Sequence, residues 1–97
     1  MSLRRCLGLI DAIDAEVKYC DRPITPASRE NAEALVVAVG KLLTEANITS
    51  DQRDKLQLAQ LRVEAVRDGL QNRQKPDNDL HMLIAEARTP LEFLLKS

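Results

Sequence analysis

The sequence predicts an all-α fold: a small antiparallel helical bundle of three long helices plus a shorter fourth helix with a kinked C-terminal turn. Three observations carry this. First, apolar residues recur at alternating steps of three and four in separate stretches: Leu3, Cys6, Ile10, Ile13, Val17, Cys20; then Ala32, Leu35, Val39, Leu42, Ala46; then Leu56, Ala59, Val63, Val66, Leu70. That spacing lays one apolar stripe along a helix, which must be buried against a facing element. Second, prolines and cap-forming residues punctuate the chain between the stretches. Third, 97 residues that are 44% hydrophobic and 30% charged can build one core and are too apolar for a disordered chain, so residues 1–97 read as a single domain.

The first helix is expected over residues 3–20, with Arg4, Asp11, Asp14, Lys18 and Asp21 on its wet face. Gly8 lies inside it, at a fray or where another backbone comes close. Pro23 and Pro26 end it, because the residue before a proline is pushed out of the α region. Thr25 as N-cap and Pro26 at the first helical position open the second helix. Val36, Val37 and Leu43 widen its stripe, which makes it the most buried helix. Asn47, in the left-handed conformation, is expected to close it, and Thr49 with Gln52 reads as a capping box for the third helix. So short a link makes helices two and three antiparallel neighbours.

The third helix is expected over residues 50–72, with a second apolar row of Leu58, Leu61 and Ala65 giving it contacts on two sides. Residues 71–79 carry no core-forming side chain and include Pro76, so they form a loop. Asp77 or Asn78 can cap a fourth helix bearing Leu80, Leu83, Ile84 and Ala87. Thr89, Pro90 and Glu92 repeat the Thr-Pro start with a capping box, so the last residues form a separate short helical turn or a kinked continuation.

Composition excludes several function classes. A net charge of −1 gives no global attraction to nucleic acid or to an anionic membrane. No apolar run approaches the roughly 20 residues that span a bilayer. Asp11, Asp14 and Glu16 interrupt the apolar start before a secretory h-region forms, so a cytoplasmic protein is expected. Cys6 and Cys20 share one helix face about 21 Å apart by helical rise, whereas a disulfide needs Cα atoms within about 7 Å. They read as reduced thiols packed in the seam.

Candidate chemistry is sparse. The one histidine, His81, has no Glu three positions before it, so the Glu-x-x-His arrangement of di-iron bundles is absent. The pairs Asp11/Asp14 and Glu30/Glu33 could contribute to a metal site only if another helix supplied partners, and Glu30 and Glu33 are already explained by the helix dipole. Gly8, Gly40 and Gly69 are isolated and form no phosphate loop. No catalytic, cofactor or metal residue is therefore assigned, and the protein is expected not to be an enzyme.

Two binding readings remain. The segment from Leu42 to Leu58 has the helix, short turn and polar-started helix of a helix-turn-helix, which would make the chain a nucleic-acid-binding regulator. Against it, Asp51 and Asp54 would face phosphates, and Arg53, Lys55, Arg62, Arg67 and Arg73 spread around the helix. The favoured reading is a protein-protein interaction module, a small regulator, adaptor or inhibitor of a larger assembly. Leu91, Phe93, Leu94 and Leu95 place four large apolar residues within five positions, too many for one core-facing stripe. They are the expected partner-binding residues, with Arg4 and Arg5 as a neighbouring basic patch if the termini meet. A homodimer would satisfy the same surplus.

Overall fold

The computed structural model describes residues 3–18 and 22–96. It contains four α-helices, α1 (Leu3–Val17), α2 (Pro26–Leu43), α3 (Ser50–Gln71) and α4 (Asn78–Lys96), with no strand among the described residues. Each helix packs on two others: α1 and α3 both lie against α2 and α4, while the diagonal pairs stay apart. The molecule measures 43 × 19 × 19 Å. A helix the length of α3 spans roughly 33 Å, so it must lie along the long axis.

The seams are the core. Leu3, Cys6, Ile10, Ile13 and Val17 from α1, Ala32, Leu35, Val39 and Leu42 from α2, and Leu56, Ala59, Val63, Val66 and Leu70 from α3 are all buried in one cluster. From α4 the cluster takes Leu80, Ile84, Ala87, Leu91 and Leu94. Ala46 departs from the expected seam: α2 ends at Leu43, so Ala46 falls in the following link and is exposed. The proposed extension of α1 through Cys20 lies outside the described residues beyond Lys18, as do Tyr19 and Asp21.

Local capping sets most helix boundaries. Thr25 accepts the Ser28 N–H at 3.2 Å, and Pro26 follows at the first helical position. The capping box at α3 is complete, with Gln52 N–H donating to Thr49 Oγ1 at 3.1 Å and Thr49 N–H donating to Gln52 Oε1 at 3.0 Å. Asp77 caps α4 by accepting the Leu80 N–H at 2.8 Å. The close of α2 differs from expectation. No described non-glycine residue has a positive φ, so Asn47 is not left-handed. Thr44 ends the helix instead, in the right-handed region, and its hydroxyl donates to the Lys41 carbonyl at 2.7 Å.

The fourth helix requires the largest correction. At 19 residues it is longer than α1, with 15, and α2, with 18, so it is not the short element expected. It also runs through Pro90, and no separate turn starts at Thr89. Proline lacks the N–H that would bond the Glu86 carbonyl, a loss that ordinarily kinks or ends a helix. Here Arg62 of α3 donates to that carbonyl at 2.9 Å. The Thr89 hydroxyl donates to Ala85 O at 3.1 Å and does not act as a cap. Pro90 itself is buried.

Long-range bonds tie the ends of α1, α2 and α3 together. Arg29, in the first turn of α2, donates through Nε to Leu70 O at 3.2 Å and through Nη2 to Arg73 O at 2.9 Å. These carbonyls lie at or just past the end of α3, where a cation also suits the helix dipole. Ile24, buried in the core, donates its N–H to Gln74 O at 2.7 Å. At the same end the hydroxyls of Thr25 and buried Ser28 both donate to the Glu16 carboxylate, Thr25 at 2.7 Å.

Candidate protein-binding surface

The six expected partner-binding residues do not form one patch. Helical geometry distributes Leu91, Phe93, Leu94 and Leu95 around α4 at about 100° per residue. Leu91 and Leu94 consequently lie in the core, while Phe93 is 56% and Leu95 45% exposed. Leu95 turns toward α1, where it lines a groove of 280 Å³ with Leu7, Asp11 and Arg88. Phe93 turns toward α3, and the Lys55 ammonium lies 4.8 Å from its ring centroid. Arg4 and Arg5 are both exposed. Arg5 faces α2 across a groove of 520 Å³ lined also by Val37, Ala38 and Lys41. Leu7 of α1 and Leu95 and Lys96 of α4 line one groove, but Arg5 faces α2 and Phe93 faces α3.

A second set of apolar residues is exposed together with Phe93. On α3, Leu58 is 36% and Leu61 68% exposed, and on α4 Met82 is 60% exposed. The row of Leu58 and Leu61 thus faces outward and does not give α3 a second buried side. Lys55 lies one turn before Leu58 and reaches the Phe93 ring, and Arg62, one turn after Leu58, reaches the backbone of α4 at Glu86. Leu58 is therefore flanked by two side chains that cross to α4. Met82 and Phe93 are eleven positions apart, three helical turns, and share a stripe of α4 with Glu86. Leu58 and Leu61 of α3 and Met82 and Phe93 of α4 are thus exposed apolar residues on two adjacent helices, with Lys55 and Arg62 crossing between the helices and Glu86 standing between Met82 and Phe93 on the α4 stripe. Met82 was not singled out from sequence; its place on the Phe93 stripe is the signal that could have found it.

The ionisable groups serve the scaffold. Hydrogen bonds from Ser28 and then Thr25 hold the Glu16 carboxyl below its ordinary range, against a smaller opposing effect of burial. The Arg73 guanidinium, followed by the Leu80 N–H, does the same for Asp77. Burial pushes the Cys6 thiol up despite the opposing charge of Arg5, which makes it a poor nucleophile. Of the carboxylates considered for metal, Asp11 pairs with Arg88 and Glu33 accepts from Gln71 Nε2 at 2.9 Å. Among the described residues no group of three or more His, Cys, Asp and Glu side chains could hold a metal ion. His81 is half-buried in the first turn of α4. No helix, among the described residues, is long and apolar enough to cross a membrane.

No family model matches the chain, and no curated protein or solved structure matches it either.

Proposed function

We propose that this protein is a cytoplasmic, non-enzymatic protein-protein interaction module, a small regulator, adaptor or inhibitor of a larger assembly. Its working surface is the α3–α4 strip of Leu58, Leu61, Met82 and Phe93. The observation that carries this reading is that these four residues of the adjacent helices α3 and α4 stay exposed while the core is supplied by other side chains. Single exposed apolar residues are ordinary on any protein, whereas a run of them along one face marks an interaction site. The helices run up and down as one antiparallel bundle in this reading. That arrangement is supported by the short links at 44–49 and 72–77 and by the reach of Arg29 from the start of α2 to the end of α3.

The helix-turn-helix alternative is less well supported. Such motifs cross their helices at about 90–120°, but bonds at the far ends of α2 and α3 favour a side-by-side course. Replacing Leu61 and Phe93 by Ser is expected to abolish capture of the partner from native extract while circular dichroism and melting stay nearly unchanged. Undiminished capture by this variant would overturn the reading. Light scattering separates a second copy from a foreign partner, because a dimer mass that halves in the variant assigns the strip to self-association. Binding to duplex or single-stranded nucleic acid at low salt, lost on Arg53→Ala, would favour the alternative.

A further inference from the structure

We infer that the outward face of α2 is a self-association surface, on which a second copy of this chain docks antiparallel about a two-fold axis through Val37. Val37 is 55% exposed although it lies well inside α2. Glu33 and Lys41 stand one turn before and one turn after it, each about 6 Å away along the helix, and all three line the groove that α2 shares with Arg5 of α1. Glu45 lines it too, so two cations and two carboxylates sum to zero there and select neither an anion nor a cation. They select a partner carrying the same charges in reverse order. A two-fold axis through Val37 supplies that partner, because it lays each residue of α2 on the one equally far from Val37 in the other direction. Lys41 of each copy then meets Glu33 of the other, and Val37 meets Val37.

The rest of the face fits the same register. Ala34 falls on Gly40 of the second copy, and a Cβ at Gly40 would meet nothing within 4 Å, so small residues oppose each other and the helices can approach closely. Exposed Glu30 falls on exposed Thr44, and no like charges meet along α2. Centring the axis on either other member of the row would instead set Glu33 against Glu33 or Lys41 against Lys41. Charge therefore fixes the register, and the contact is isologous. Both charged groups have bonding capacity to spare: the Lys41 ammonium is in no hydrogen bond or ion pair among the described residues, and Glu33 accepts only from Gln71 Nε2 at 2.9 Å. One helix face with a single large apolar residue makes a small interface, below about 1,200 Å², so the dimer dissociates on dilution. This inference stands on α2 and does not depend on the exposed residues of α3 and α4.

Sedimentation equilibrium of the full chain from about 10 μM to about 1 mM tests it. The parent is expected to pass from monomer to dimer over that range. Glu33→Lys and Lys41→Glu each make the pair repulsive, and because the pair occurs twice per dimer each should weaken association about tenfold or more. Mixing the two single variants restores both pairs between unlike chains, so the mixture should form a one-to-one heterodimer of parental affinity. Both positions are exposed, so melting should stay nearly unchanged. A parent that is monomeric throughout would overturn the inference and leave the groove to a small molecule or a foreign segment. Single variants that associate as the parent does, or that fail to recover on mixing, would overturn it as well. A dimer lost on replacing Leu61 and Phe93 by Ser, but not on either reversal, would place self-association on α3 and α4 instead. Should a reversal fail to fold, Val37→Lys still decides: it sets two ammonium groups at the axis, so loss of the dimer supports the inference and an unchanged dimer refutes it.

Discussion

Glu16 shows how one side chain can couple the end of one helix to the start of the next. Its carboxylate accepts from Thr25 and Ser28, the same residues that form the N-terminal cap of α2, so ionised Glu16 fixes the cap as well as the connection. The folded pKa is depressed below the ordinary value of 4.5. The resulting stabilisation is present above the unfolded pKa and is lost as pH falls through the folded one. Glu16→Gln should therefore lower the urea midpoint at pH 7, and the gap to the parent should close as pH falls below about 4.5. A gap that stays constant with pH would assign the effect to shape and not to charge. Thr25 and Pro26 were legible because an N-cap and the helix it starts are adjacent in sequence. Glu16 and Arg29 were not: their partners lie 9 or more and 41 or more positions away, and nothing local distinguishes them from any solvated charge.

At the scale of the helices, three glycines sit in helical interiors with different surroundings. A Cβ at Gly8 or Gly40 would meet nothing within 4 Å, so neither glycine marks a close backbone approach. At Gly69 the added atom would come within 3.1 Å of Leu83 Cδ1 and 3.3 Å of Leu80 Cδ1, because α3 and α4 draw together there. Gly8→Ala and Gly40→Ala should each stabilise by roughly 0.5–1 kcal/mol through helix propensity and reduced freedom of the unfolded chain. Gly69→Ala should gain less or lose, since the tips of buried Leu80 and half-buried Leu83 must shift. Chemical denaturation of the three single variants measures this, and an equal gain at all three would show that the α3–α4 approach is not limiting. The same helix pair bears on Thr89, Pro90 and Glu92, read as either a separate turn or a kinked continuation, of which the unbroken α4 excludes the first. Locally these residues spell a new helix start, and the donor that meets the Glu86 carbonyl, Arg62, belongs to another helix 24 positions before it.

For the molecule as a whole, the periodic seams disclosed nearly the entire interior because burial in a four-helix arrangement follows one stripe per helix. They did not disclose the exposed residues of the proposed binding surface. Leu58 and Leu61 read as a second buried row, yet no helix lies over them, and a periodic pattern cannot say which side of a helix has a neighbour. The contrast is measurable. Leu35 is 0% exposed, and Leu35→Ala should cost about 2–5 kcal/mol. Leu61, at 68% exposed, should cost no more than about 0.5 kcal/mol on the same change. Thermal melts of the two variants decide, and a large loss for Leu61→Ala would place it in the folding core and remove it from the proposed surface.

The core cluster, built from Leu, Ile, Val, Ala and Cys6, leaves an unusual spectroscopic fingerprint. Among the described residues no aromatic side chain belongs to that cluster, so the methyl groups of its buried Leu, Ile and Val residues should take little ring-current shift from their neighbours within it. Phe93 sits instead on the outer α3–α4 side beside Lys55, so its resonances, and the shifted methylenes of Lys55, are reporters of what touches the surface and not of whether the chain has folded.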